Sequence, residues 1–151
     1  MRNISSFNIL AILFILVGGV FLLENYGILV GVSMFWPILP FILGAGFCIL
    51  YFKGKRKDTM LIGLGSLILV NSFFFFFLNF TSWRSLVYLW PIFMILLGAS
   101  FIVTYVFARM KVLMYLAIFL IMLGVSFILV FAVSTTLWPI TLVLAGVSFI
   151  I

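Results

Sequence analysis

The sequence predicts an all-α polytopic integral membrane protein: six transmembrane helices, arranged as three repeated helical hairpins in a single membrane domain, residues 1–151. Three observations lead there. Hydrophobic residues make up 68% of the chain and charged residues 7%, with a mean hydropathy of +1.56. A water-facing surface needs roughly a quarter to a third of its residues charged, so most of this surface faces lipid. The apolar segments are long and separated by short polar breaks, without the strict alternation of a barrel strand, which favours helices. Finally, Trp-Pro-Ile occurs three times, each time with a glycine six residues after the isoleucine and a phenylalanine three further on. The copies are Trp36-Pro37-Ile38 with Gly44 and Phe47, Trp90-Pro91-Ile92 with Gly98 and Phe101, and Trp138-Pro139-Ile140 with Gly146 and Phe149. One small unit is written three times, over approximately residues 7–52, 59–107 and 112–151.

The first span is Phe7–Leu23, roughly 25 Å at 1.5 Å per residue, closed by Glu24, Asn25, Tyr26 and Gly27. It reads as a retained span, because no small-x-small cleavage site precedes the polar break. The second span carries the first Trp-Pro and ends near Phe52, and the loop Lys53-Gly54-Lys55-Arg56-Lys57-Asp58 leads to Thr59–Leu78. Asn79 to Ser85 precede Leu86–Phe107; Ala108-Arg109-Met110-Lys111 precede Val112–Phe131; Ala132 to Thr136 precede Leu137–Ile151. Proline suits a first helical turn, where its missing N–H has no intrahelical partner. Thr136 is placed to cap a helix with Pro139 in that turn, and Pro37 and Pro91 sit likewise by repeat. Pro40 predicts a kink in the second span. From Trp138 to Ile151 there are fourteen residues against eighteen from Trp90 to Phe107, so the last span either ends early or belongs to something longer.

Orientation follows from charge. With the N-terminus inside, all of the eight Lys and Arg except Arg84 lie on the cytoplasmic side, as the positive-inside rule favours. Trp36, Trp83, Trp90 and Trp138 then form one belt at the outer interface. Both termini are expected in the cytoplasm.

The outgoing helices carry an echo of the repeat: Val17-Gly18, Leu64-Gly65 and Leu123-Gly124, with Phe21, Ile68 and Phe127 three residues beyond the glycines. Between membrane helices, close backbone approach at small residues supplies the packing. Gly44, Gly46, Ala99, Ser100, Gly63, Gly65 and Ser126 are the expected helix contacts, and the phenylalanine run Phe73–Phe77 is expected mostly to face lipid.

At the Trp-Pro element the chain resembles the LiaI–LiaF-like transmembrane region of bacterial cell-envelope stress proteins. That pattern pairs a glycine-bearing helix ending in a leucine- and asparagine-rich turn with a helix opening on Trp-Pro. Here the first arm is Val17 through Gly27 and the returning arm runs from Trp36 to Phe47, with Asn71 and Val130 at the place of Glu24 in the later copies. Members of the LiaF kind carry a soluble C-terminal domain, whereas these 151 residues hold the membrane part. The resemblance implies a bacterial cytoplasmic (inner) membrane protein that takes part in envelope-stress sensing or regulation through another membrane protein.

Residue chemistry excludes much else. There is no histidine, the only acids are Glu24 and Asp58, and Cys48 is the sole cysteine. Serine-hydrolase triads, zinc sites and haem bis-histidine sites each lack a required group. The two acids lie on opposite sides of the predicted membrane, so paired-carboxylate catalysis has no geometry. An enzyme is not expected, nor a cofactor or a bound metal. Glu24 and Asn71 are the possible polar site, although Glu24, at a span's end beside Asn25 where water can solvate it, is better explained as a solvated helix-end residue. Lys53, Lys55, Arg56 and Lys57 form a cationic cluster that sets topology and attracts anionic lipid heads by about 1 kcal/mol per cation. Nucleic-acid binding is not expected, since no basic fold surrounds the cluster. Asn79-Phe80-Thr81 is a glycosylation sequon of consequence only in a glycosylating host. The leading reading is a non-enzymatic interaction or accessory protein. The alternative is a small transporter or channel for an ion or small solute, which predicts that Glu24, Asn71 and Ser126 line one cavity. Lipid or cell-wall-precursor binding beneath the tryptophan belt is a third class.

Overall fold

The computed structural model describes residues 6–54 and 58–148. Arg2, Lys55, Arg56, Lys57, Phe149 and Ile151, used above, lie outside the described residues. The chain divides into two compact units, Met1–Trp36 and Pro37–Ile151.

The first unit is built on α1, Ser6–Asn25. Gly27 ends it in the left-handed region at φ 73°. Its N–H reaches the Glu24 carbonyl at 2.8 Å, and Ile28 N–H reaches the Leu23 carbonyl at 3.0 Å. Those are the two bonds of a Schellman cap, a geometry that only glycine enters without strain. A single 3-10 turn, Val32–Phe35, follows Gly31.

The second unit contains α2 (Ile38–Lys53), α3 (Thr59–Phe80), the one-turn α4 (Leu86–Leu89), α5 (Ile92–Ala108), α6 (Lys111–Ile128) and α7 (Pro139–Ser148). A π turn, Leu129–Val133, prolongs α6. No strand occurs among the described residues. The all-helical prediction therefore holds. Val32–Lys53, Thr59–Phe80 and Lys111–Val133 are long and apolar enough to cross a membrane, and Trp83–Leu89 with Ile92–Ala108, bent by 75°, makes a fourth crossing if the pair counts as one. Phe14–Asn25 and Thr135–Ser148 are shorter apolar helices.

Helix entries differ in detail from expectation. Pro37 and Pro91 are the residues before α2 and α5, and Pro139 is the first residue of α7. Pro40 is the third residue of α2. There its missing N–H costs no helical bond, which removes the reason for a kink. Ser134, not Thr136, caps the turn before α7: its hydroxyl accepts from the Thr136 N–H at 3.3 Å. Asp58 caps α3 by accepting from Met60 N–H at 3.0 Å.

The core lies where backbones approach. Gly44 on α2 faces α3 so closely that a Cβ there would stand 2.9 Å from the Gly65 carbonyl oxygen and 2.9 Å from the Leu69 nitrogen. Gly98 on α5 meets the same atoms of α6, the Ala117 oxygen at 2.9 Å and the Ile121 nitrogen at 3.3 Å. The structure therefore equates Gly65 with Ala117 and Leu69 with Ile121. By that register Ser72 matches Gly124, Phe75 matches Phe127 and Leu78 matches Val130. The glycine-based alignment of Gly65 with Gly124 is seven residues out, so that Leu78, not Asn71, matches Val130. Seven residues are close to two helical turns, so the error kept the face and shifted the depth.

Other contacts follow from the same packing. Gly63 lies 3.2 Å, measured from a Cβ built on it, from Thr104 Oγ1, and so marks the approach of α3 to α5. Gly46 and Gly146 have no neighbour within 4 Å of such a Cβ. Phe74 is buried, unlike exposed Phe73 and Phe77, because it meets Phe93 edge-on at 5.2 Å. Part of the phenylalanine run thus belongs to the core.

Candidate functional site

Glu24 comes at the end of α1, where the Schellman turn and the 3-10 turn bring Ser33 back towards it. Glu24 Oε2 accepts from the Ser33 backbone N–H at 2.6 Å, and Oε1 accepts from the Ser33 hydroxyl at 2.9 Å. A carboxylate accepting a backbone amide at a helical N-terminus satisfies a donor that has no helical partner. The surrounding depression, about 490 Å³, is lined by Phe21, Glu24, Asn25, Ser33 and Trp36. Its geometry suits a local clasp: one carboxylate, open to solvent, with both oxygens already engaged.

Asn71 is differently occupied. Its amide donates to the Leu67 carbonyl one turn back, at 2.8 Å. Ser126 donates to the Leu123 carbonyl at 2.7 Å. Buried Ser66, Ser72, Ser100 and Thr104 likewise bond carbonyls of their own helices, at 2.7 to 3.0 Å. Among the described residues no buried side-chain polar atom lacks a partner. Such back-bonding is how a hydroxyl is tolerated in an apolar helix.

The largely apolar groove of about 440 Å³ among α3, α5 and the start of α6 is lined by residues such as Met60, Gly63, Leu67, Phe101, Thr104 and Met110. Gly63 opens it by lacking a side chain. Met110, at its rim, is flanked by exposed Arg109 and Lys111. Arg109 holds φ 56° as the residue that ends α5. Of the predicted cationic cluster, Lys53 is described and exposed at the end of α2.

The Trp-Pro joints are structural in their contacts. Trp90 packs on Phe127 and Phe131 at ring-centroid distances of 5.6 and 5.5 Å. Trp83 donates from Nε1 to the Asn79 side-chain oxygen at 2.8 Å, so the sequon asparagine is engaged in a side-chain bond. Pro37 and Pro91 are fully buried, while Pro139 is exposed. No group of three or more His, Cys, Asp or Glu side chains is placed to hold a metal among the described residues.

Comparison with protein-family models, with curated proteins and with solved structures gives no match.

Proposed function

We propose that the chain is a non-enzymatic bacterial inner-membrane protein of six spans in three repeats, both termini cytoplasmic, acting as an interaction or accessory protein in envelope-stress sensing or regulation. The observation that carries the non-enzymatic part is the fate of its polar groups: buried hydroxyls and Asn71 bond their own helices, and Glu24 clasps Ser33. What remains is a set of packing faces. The envelope-stress assignment rests on the Trp-Pro resemblance. Anionic lipid at the Lys53, Lys55, Arg56 and Lys57 cluster belongs to the same reading.

The test is deletion and complementation in the host, with an envelope-stress reporter read under cell-wall antibiotics. A reporter response altered by deletion and restored by the gene is the expected result. An unchanged response, with no change in antibiotic survival, counts against the assignment. Purified protein in liposomes is expected to pass no ion or small solute; measurable flux would move the reading to a transporter.

A further inference from the structure

The groove of about 440 Å³ among α3, α5 and α6 has an apolar interior and a cationic mouth. Leu67, Leu97, Phe101 and Leu113 make the interior. Two hydroxyls deep in it are already engaged: Ser100 donates to the Leu97 carbonyl and Thr104 to the Ser100 carbonyl, both at 2.7 Å. Neither has its proton free for a ligand. From Thr59 to Leu67 the groove follows eight residues of α3, about 12 Å at 1.5 Å per residue. That is close to the depth of one leaflet, half of a hydrocarbon layer of about 30 Å.

The mouth is set by the short link between α5 and α6. Met110 lines the groove, with exposed Arg109 and Lys111 on either side of it in the chain. On the other wall Asp58 adjoins Thr59, and its carboxylate caps α3 by accepting from the Met60 N–H at 3.0 Å. It offsets one of the two cations, and Lys55, Arg56 and Lys57 precede it in the sequence. The occupant that fits is therefore apolar for the depth of a leaflet and ends in an anion. A helix of this chain, or of a second copy, brings no such anionic side chain. The only acids are Glu24 and Asp58. Glu24 has both oxygens on Ser33, and Asp58 already belongs to the mouth.

We propose that the groove holds one acyl chain of an anionic glycerophospholipid, drawn from the leaflet around the α5–α6 link, with its phosphate at Arg109 and Lys111. Arginine takes phosphate bidentately and lysine meets it as a point charge. Attraction of anionic heads to Lys53, Lys55, Arg56 and Lys57 is diffuse, whereas this site fixes a chain as well as a charge. The inference rests on α3, α5 and α6 crossing the membrane and is independent of the stress-sensing assignment.

The test uses the full chain, extracted from membranes in a mild non-ionic detergent. It is titrated with phosphatidylglycerol or phosphatidylcholine of identical acyl chains, and bound lipid is counted by native mass spectrometry. The expected result is one tightly held phosphatidylglycerol per chain, preferred over phosphatidylcholine by roughly tenfold, the scale of one to two surface cations. Arg109→Asn with Lys111→Gln should abolish the preference, and asparagine tolerates the left-handed backbone at 109. Leu64→Trp, at a 48% exposed position on the groove wall, should lower retention of both lipids by filling the space. Arg84→Gln, just beyond the far end of α3, should change neither. Thermal midpoints measured alongside confirm that folded chains are compared. Equal affinity for the two lipids overturns the proposal. So does a preference that survives Arg109→Asn with Lys111→Gln or falls as far with Arg84→Gln, and so does retention indifferent to Leu64→Trp. Each of these leaves the span reading standing, whereas recovery of the chain in the soluble fraction overturns both.

Discussion

At the residue scale, the same residue type in three equivalent places has two different roles. Gly98 admits no side chain: a methyl there would stand 2.7 Å from Ile121 Cγ1 and 2.9 Å from the Ala117 oxygen. Gly98→Ala should therefore destabilise the α5–α6 pair by about 1–3 kcal/mol, the usual cost of overpacking, and lower the thermal midpoint in detergent. Gly146→Ala should leave that midpoint unchanged, because nothing lies within 4 Å. Equal losses at both positions would refute the packing described here. Arg109, the sole non-glycine residue with positive φ among those described, predicts the opposite sign. Arg109→Gly should raise stability by about 1 kcal/mol, since a left-handed backbone is disfavoured for any residue with a Cβ. Recurrent Trp-Pro-Ile and glycine made Gly44 and Gly98 legible from the sequence. The partners were less so, because Gly65 and Gly124 share a face while lying two turns apart in depth, and a search for glycines cannot see that Ala117 is the equivalent of Gly65.

At the element scale, helix ends were predicted better than helix joints. The expected Thr59–Leu78 became α3, Thr59–Phe80, and the expected Val112–Phe131 became α6 with its π continuation to Val133. Apolar runs between polar breaks are a strong signal when every backbone group must be satisfied within its own helix. Joints depend on single bonds that hydropathy does not register. Ser134 caps where Thr136 was expected because its extended backbone, φ −162°, leaves the hydroxyl facing the Thr136 amide. The Glu24–Ser33 clasp spans nine residues of turn and has no sequence signature. It predicts that Glu24→Ala will speed hydrogen exchange at the Ser33 amide, whose acceptor is lost, with Glu24→Gln intermediate. Exchange at Ser33 unaffected by either change would mean the clasp contributes nothing.

At the scale of the whole molecule, composition and charge make a prediction that labelling can decide. With both termini inside, Val30→Cys, at a 92% exposed position between α1 and the 3-10 turn, should react with a membrane-impermeant thiol reagent in intact cells. Met110→Cys, between Arg109 and Lys111, should react only after permeabilisation. The reverse pattern would invert the topology. This result bears on the membrane crossing alone.

The sequence by itself determined that this is an all-helical chain with helices apolar and long enough to cross a membrane, because 7% charged residues cannot clothe a protein in water. It also displayed a threefold element whose prolines sit at helix entries. Only the tertiary structure decided which faces meet and at what depth. That information lies in distances between backbones on different helices, and a one-dimensional pattern with a near-seven-residue period repeats itself every two turns. The same distances show two of the three glycine faces of the repeat covered and the third exposed.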